Sequence, residues 1–181
     1  MPLQLQDPSL VVLVGAAGAG KSTLAARLFA PELLLSSDAF RASISGDPGD
    51  QRFTRAAFSI LHRELARRMA SGRATVIDAT NVTAYARRAL VRRAAAAKVP
   101  AVALILDLPP ALVLARNATR EGRIVPRDVV SGHLRDLAHS LRRGLGSEGF
   151  TAIHVLRSAA DVDAVEVEWR QPPPGYSHGD A

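Results

Sequence analysis

Apolar residues along this chain follow two rhythms. Short continuous runs at 10–14, 33–36, 74–78, 102–107 and 150–156 have the length and β-branched content of buried strands. Between them lie longer stretches in which apolar side chains recur every three or four positions. These predict helices at about 21–29, 51–71, 84–98, 110–120 and 126–145, with a short helical turn at 159–164. The 51–71 segment carries Phe53, Ala57, Ile60, Leu61, Leu65 and Met69 near helical spacing and stops at Gly72. The 126–145 segment opens at Pro126 and carries the seam Leu134, Leu137, Leu141 and Leu145. Thr83 is placed to cap the helix that follows it, and 43–50, rich in Gly, Asp and Pro, predicts an exposed loop. Strands separated by helices of this length pair in parallel, because the crossover covers a face of the sheet. The prediction is a three-layer α/β domain over 1–170 with a mostly parallel sheet of about five strands. Residues 171–181 contain Pro172–Pro174 and predict a tail or linker.

Composition narrows the class. A chain of 181 residues with 48% hydrophobic content supports a real core, and with aromatics at 4% that core must be built from Ala, Val and Leu. The absence of cysteine excludes disulfides and thiolate metal sites. No apolar run reaches the ~20 residues of a membrane span, and the amino-terminal residues lack a charged leader, so the expected location is the cytoplasm, away from membranes. Net charge is +6, carried almost entirely by arginine, since Lys21 and Lys98 are the only lysines. Such a surface suits a polyanionic partner.

The chemistry starts where the first run ends. Gly15-Ala16-Ala17-Gly18-Ala19-Gly20-Lys21-Ser22 fits G-x-x-x-x-G-K-[ST], a loop whose backbone N–H groups cradle nucleotide phosphates at the start of a helix. Gly15, Gly18, Ala19, Gly20, Lys21, Ser22 and Thr23 are therefore the expected nucleotide-binding residues, in a P-loop fold with a helical lid. Lys21 would reach the β/γ-phosphates of ATP, and the Ser22 hydroxyl would face Mg²⁺. Asp78, at the end of the run 74–78, is the second candidate metal residue. Ala79 follows it, where a water-activating ATPase would place a glutamate, and the base-reading Asn-Lys-x-Asp of GTPases is absent. Transfer of a phosphoryl group to an acceptor is favoured over hydrolysis.

Transfer requires a carboxylate facing the acceptor hydroxyl and cations around the moving phosphoryl group. Asp38 closes the run 33–36, and Arg41 falls on the same face of any helical turn beginning there. Arg116 and Arg120 are one helical turn apart, and Arg123 continues into a Gly- and Pro-containing connection suited to a lid.

The series Gly15–Ser22, Ser36-Ser37-Asp38-x-x-Arg41, Val76-Ile77-Asp78-Ala79-Thr80-Asn81 and Arg116-Asn117-x-x-Arg120 resembles the 5′-kinase module of bacterial polynucleotide kinase-phosphatase, over about residues 8–171. The resemblance implies transfer of the ATP γ-phosphate to 5′-hydroxyl ends of single-stranded RNA or DNA in end repair. It makes Lys21, Asp38, Arg41, Arg116, Arg120 and Arg123 catalytic, with Asp38 the general base. It also implies that Gln51 and Thr80 touch the phosphate after the acceptor nucleoside, and that Val129 and Val130 pack on its base. In that family the kinase is followed by a metal-dependent phosphatase, which makes such a module, in the same or a partner polypeptide, an implied associate. A small-molecule kinase acting on a sugar, nucleoside or antibiotic is the alternative, and a non-enzymatic nucleotide-dependent switch is the third reading.

Overall fold

The structure, a computed structural model, describes residues 2–120 and 124–170. Its centre is β2 (Leu10–Val14), every residue of which is buried. Hydrogen bonding on both sides, to β4 (Thr75–Asp78) and β5 (Ala101–Leu106), leaves no polar edge on this strand, so an unbroken apolar sequence suits it. β3 (Leu34–Ser36) and β6 (Ala152–Leu156) complete a five-stranded sheet in the order β3-β4-β2-β5-β6, parallel throughout. The parallel sheet predicted from the alternation of runs and helices is the one observed.

Successive β2 side chains serve opposite cores. Val11 and Leu13 pack with Leu24, Ala25 and Phe29 around α1 (Lys21–Leu28) and with Val113 of α5 (Pro110–Ala118). Leu10, Val12 and Val14 pack with Leu61, Leu65 and Met69 of α3 (Thr54–Ala70) and with Leu90, Val91 and Ala94 of α4 (Ala84–Ala96). Each such leucine, removed from water, contributes roughly 1.5–3 kcal/mol. α6 (Arg127–Arg143) joins the two layers, because Val130 lies in the first cluster and Leu137 in the second. It therefore crosses over the sheet.

A buried ion pair fixes that crossing. Arg87 donates to both Glu148 oxygens at 2.7 Å and to the carbonyls of Asn81 and Val82, while Ser140 of α6 donates to the same Val82 carbonyl at 2.9 Å. With no exposure at Arg87, these bonds are what make its burial tolerable.

Three local expectations are corrected. The segment 43–50 is not loop throughout, since α2 (Ser37–Ser45) runs through its first residues and ends where Gly46 adopts φ +78°. The helix expected from 51 opens as a 3₁₀ turn, Gln51–Phe53, before α3. A second, two-stranded parallel sheet was not anticipated: β1 (Leu3–Gln6) pairs with β7 (Val167–Arg170), which follows α7 (Ala159–Ala164). Trp169 of β7 sits edge-on to Phe29 at 6.3 Å. Among the described residues no helix is long and apolar enough to cross a membrane. The predicted tail, 171–181, lies outside the described residues.

Candidate active site

The phosphate loop leaves β2 and is tied to the end of β4, where the Gly15 N–H donates to the Thr80 carbonyl at 2.9 Å. Gly18 and Gly20 have φ of +83° and +94°, in the left-handed region that glycine enters without a Cβ penalty. At Gly18 sterics add a second requirement: a Cβ there would stand 2.7 Å from the Val113 carbonyl and 2.8 Å from Asn117 Cβ. Gly20 caps α1 without a side-chain acceptor, and no acidic residue occupies the first turn. The leading N–H groups of α1 are thus left for an anionic ligand.

Lys21 is buried beneath this loop, with Nζ donating to the carbonyls of Gly15 at 2.9 Å and Ala16 at 2.8 Å. Its pKa is lowered to about 8, first by burial and also by Arg120, against an opposing effect from Asp78. Ser22 and Thr23 are exposed at the helix start. Asp78 is buried at the end of β4, where its carboxylate accepts no hydrogen bond from a described side chain or N–H and acts on Lys21 through charge. A hydroxyl and a free carboxylate are hard oxygen donors. They suit Mg²⁺, which takes few protein ligands and completes its shell with water and phosphate. No group of three or more carboxylates, histidines or cysteines able to hold a metal exists among the described residues. A site of this kind would thus draw on the nucleotide as well.

Asp38 enters from the next strand over. Ser36 of β3 pairs in register with Asp78, so α2 starts beside the acidic end of β4. The Ser36 hydroxyl caps this helix, placing Asp38 in its first turn. Arg41, one turn on, forms an ion pair with Asp38 Oδ1, and its Nε donates to the Pro48 carbonyl at 2.8 Å. The arginine side chain is 6% exposed and the aspartate 34% exposed. The guanidinium is therefore a fixed strut, and the carboxylate it holds still faces solvent.

Arg116 and Arg120 both approach the phosphate loop. Arg116 Nη1 lies 3.5 Å from the Ala19 carbonyl, and Arg120 is close enough to depress the pKa of Lys21. Arg123 lies outside the described residues. Gln51 is exposed in the turn after α2, accepting from Thr54 at 3.1 Å and donating to Gly49 at 3.3 Å. Thr80 contributes its carbonyl to the loop. Val129 is 41% exposed, but Val130 is buried in the core at 0% and presents no face to a base. Assigning base contact to Val130 is thus incorrect, because α6 turns that position toward Val113 and Val125.

Three side chains with no predicted role support the site. Asn117 both donates to the Val125 carbonyl at 2.8 Å and accepts from the Val125 N–H at 3.2 Å, clasping the two ends of the connection between α5 and α6. Asn81, at φ +49°, donates to the Leu13 carbonyl at 2.8 Å and joins the ends of β2 and β4. His133 of α6 accepts from the loop N–H of Ala17 at 3.5 Å. Sequence signals exist for the first two, which stand inside recognised motifs. His133 could be found only by following the helix face from Val130.

The chain is similar to known proteins in family and in fold. The family described as an AAA domain matches residues 10–143. No curated protein sequence matches the chain. Among solved structures, a chain of the Pnkp1/Rnl/Hen1 RNA repair complex is 23% identical with a TM-score of 0.67. That match covers 77% of this chain and 47% of that one, so this chain spans about half its length. A sugar kinase from Janibacter is 22% identical with a TM-score of 0.53, covering 83% and 85% of the two chains. Kti12 of Chaetomium thermophilum, solved with ADP-AlF3, is 16% identical with a TM-score of 0.62, covering 85% and 93%. At these identities the neighbours speak for the fold, which is that of P-loop kinases. With three quarters of its length matched and the phosphate loop built as described, the chain belongs to the AAA domain family.

Proposed function

We propose that the protein is an ATP-dependent polynucleotide 5′-hydroxyl kinase. The observation that carries this reading is Asp38, a partly exposed carboxylate braced by a buried arginine, two residues after Ser36, which pairs in register with Asp78. Such a group suits removal of a proton from an alcohol, while the position after Asp78, where a hydrolytic enzyme needs its glutamate, holds buried Ala79. The acceptor's 5′ oxygen attacks the γ-phosphorus, the bond to the β–γ bridging oxygen breaks, Asp38 takes the hydroxyl proton, and ADP leaves. Lys21 and the N–H groups from Gly18 to Thr23 hold the phosphates. Arg116 and Arg120, with Arg123 beyond them in sequence, neutralise charge on the transferred group. Ser22 and Asp78 would hold Mg²⁺, which supplies further charge neutralisation at the phosphate oxygens.

The choice of a polynucleotide acceptor draws on the motif series, the arginine-rich +6 surface and the likeness to a chain of an RNA repair complex. A small-molecule acceptor is the second reading, favoured by the sugar kinase among the structural neighbours. The experiment is transfer of labelled γ-phosphate to 5′-hydroxyl oligonucleotides, nucleoside 3′-phosphates, sugars and simple nucleosides. The proposal expects oligonucleotides to be used most efficiently, with KM rising as salt increases. Equal or better use of a sugar or nucleoside, without salt dependence, overturns it.

A further inference from the structure

We infer that the outer face of α4, led by Tyr85 and continued by Arg88 and by Arg143 of α6, is the track for the nucleotides that follow the acceptor nucleoside. This rests on the polynucleotide reading. Tyr85 is 84% exposed in a chain with few aromatic residues, so it is not there to fill the core. The buried face of α4 is made by Arg87, Leu90, Val91 and Ala94, and Tyr85 stands on the opposite side. Arg88 and Arg92 follow it at three and seven residues, the spacing of one helix face, and both are exposed.

Arg88 also lines a cavity of about 390 Å³ between α4 and α6, together with Thr83, His139 and Arg143. Two carboxylates share the cavity, but Glu148 is already neutralised by Arg87, leaving Asp136 against two guanidinium groups. Some surface arginines are matched, Arg52 with Asp50 and Arg67 and Arg68 with Glu64, and others stand singly, but Arg88 and Arg143 converge on one cavity. Among the described residues Arg88, Arg92 and Arg143 have no such partner. A ring offering its face beside uncompensated guanidinium groups is how proteins hold single-stranded nucleic acid without reading its sequence. Position agrees, since α4 begins at Ala84, four residues after Thr80, the residue proposed to touch the first phosphate beyond the acceptor. The occupant is therefore the 3′-ward continuation of the same strand, with a base on Tyr85 and phosphates on Arg88 and Arg143.

The test compares a nucleoside 3′-phosphate with a 5′-hydroxyl decanucleotide as acceptors. Tyr85→Ala should raise KM for the decanucleotide about tenfold. Its kinetics on the nucleoside 3′-phosphate should be unchanged, and Tyr85→Trp should restore the loss. Replacing both Arg88 and Arg143 by alanine should flatten the dependence of log KM on log salt by about 1.4, or roughly 0.7 for each phosphate no longer neutralised. If the wild-type protein prefers the decanucleotide and the variants keep that preference and salt slope, the track is refuted while the kinase reading stands. Equal loss on both acceptors also refutes it, marking Tyr85 as structural. A wild-type protein without preference for the longer acceptor overturns the track and the polynucleotide reading together.

Discussion

Raising the pH through 8 should weaken ATP binding, and the cause lies in Lys21. Free of nucleotide, its ammonium is buried with two carbonyls as hydrogen-bond partners, and its pKa is lowered to about 8 from 10.5. A bound triphosphate requires the charged form, so above pH 8 binding must take up a proton. Affinity should be level below that pH and fall about tenfold per unit above it, reaching roughly thirtyfold at pH 9.5. The phosphates' own titration, near pH ~6, does not contribute in this range. Isothermal titration calorimetry at pH 7 to 9.5, in buffers of different ionisation enthalpy, reads both the affinity and the protons taken up. The same displacement acts on stability. Between pH 8 and 10.5 the unfolded chain binds the more protons, so stability rises with pH across that window, by about 3 kcal/mol in all. Lys21→Met should lack this rise, which urea titrations of the two proteins across the window would reveal. A flat affinity with no proton uptake, together with parallel stability curves, would refute the claim that burial governs this lysine.

Asp38→Asn should cost about 10²–10⁴ in kcat and leave the Kd for ATP within about threefold, separable by single-turnover and equilibrium measurements. Arg120→Ala should slow turnover and also move the pH at which ATP binding weakens upward, because it removes a cation that depresses the Lys21 pKa. Gly18→Ala should cost roughly 3 kcal/mol or more in urea denaturation, since it combines a positive φ with contacts under 3 Å against α5. Arg87→Met should destabilise by about 3–5 kcal/mol by stranding the Glu148 carboxylate, and Arg87→Met with Glu148→Leu should recover most of that loss.

How far the sequence was legible depended on how local the cause was. β2 was read at its observed bounds because a strand buried on both faces leaves five apolar residues in a row. The phosphate loop was legible because its glycines answer local demands of φ and close approach. Asp38 with Arg41 was legible as a pair one helical turn apart. β1 and β7 escaped because each alternates apolar and polar residues over four positions only, and the register Leu3 with Val167 is set by tertiary structure. α2 is absent from the predicted helices because Ser43, Ser45 and Gly46 have the composition of a turn, while Phe40 and Arg41 are held by packing and by the Pro48 carbonyl, which the local pattern does not show. Val130 was misjudged since exposure on α6 is decided by where that helix crosses the sheet. Arg87 and Glu148, 61 residues apart, carried no sign that two charges would meet in the interior.

The strand order also has a bearing on synthesis. β2 emerges early, but its two neighbours are drawn from 75–78 and 101–106, and the Gly15 N–H finds its acceptor at Thr80. Contacts of such separation form slowly, and a chain leaving the ribosome at about 5–20 residues per second exposes the central strand for several seconds before β5 can flank it. Nascent chains stalled before residue 101 should therefore bind no nucleotide and offer an apolar strand to chaperones, whereas those carried past β5 gain the framework on which the phosphate loop depends.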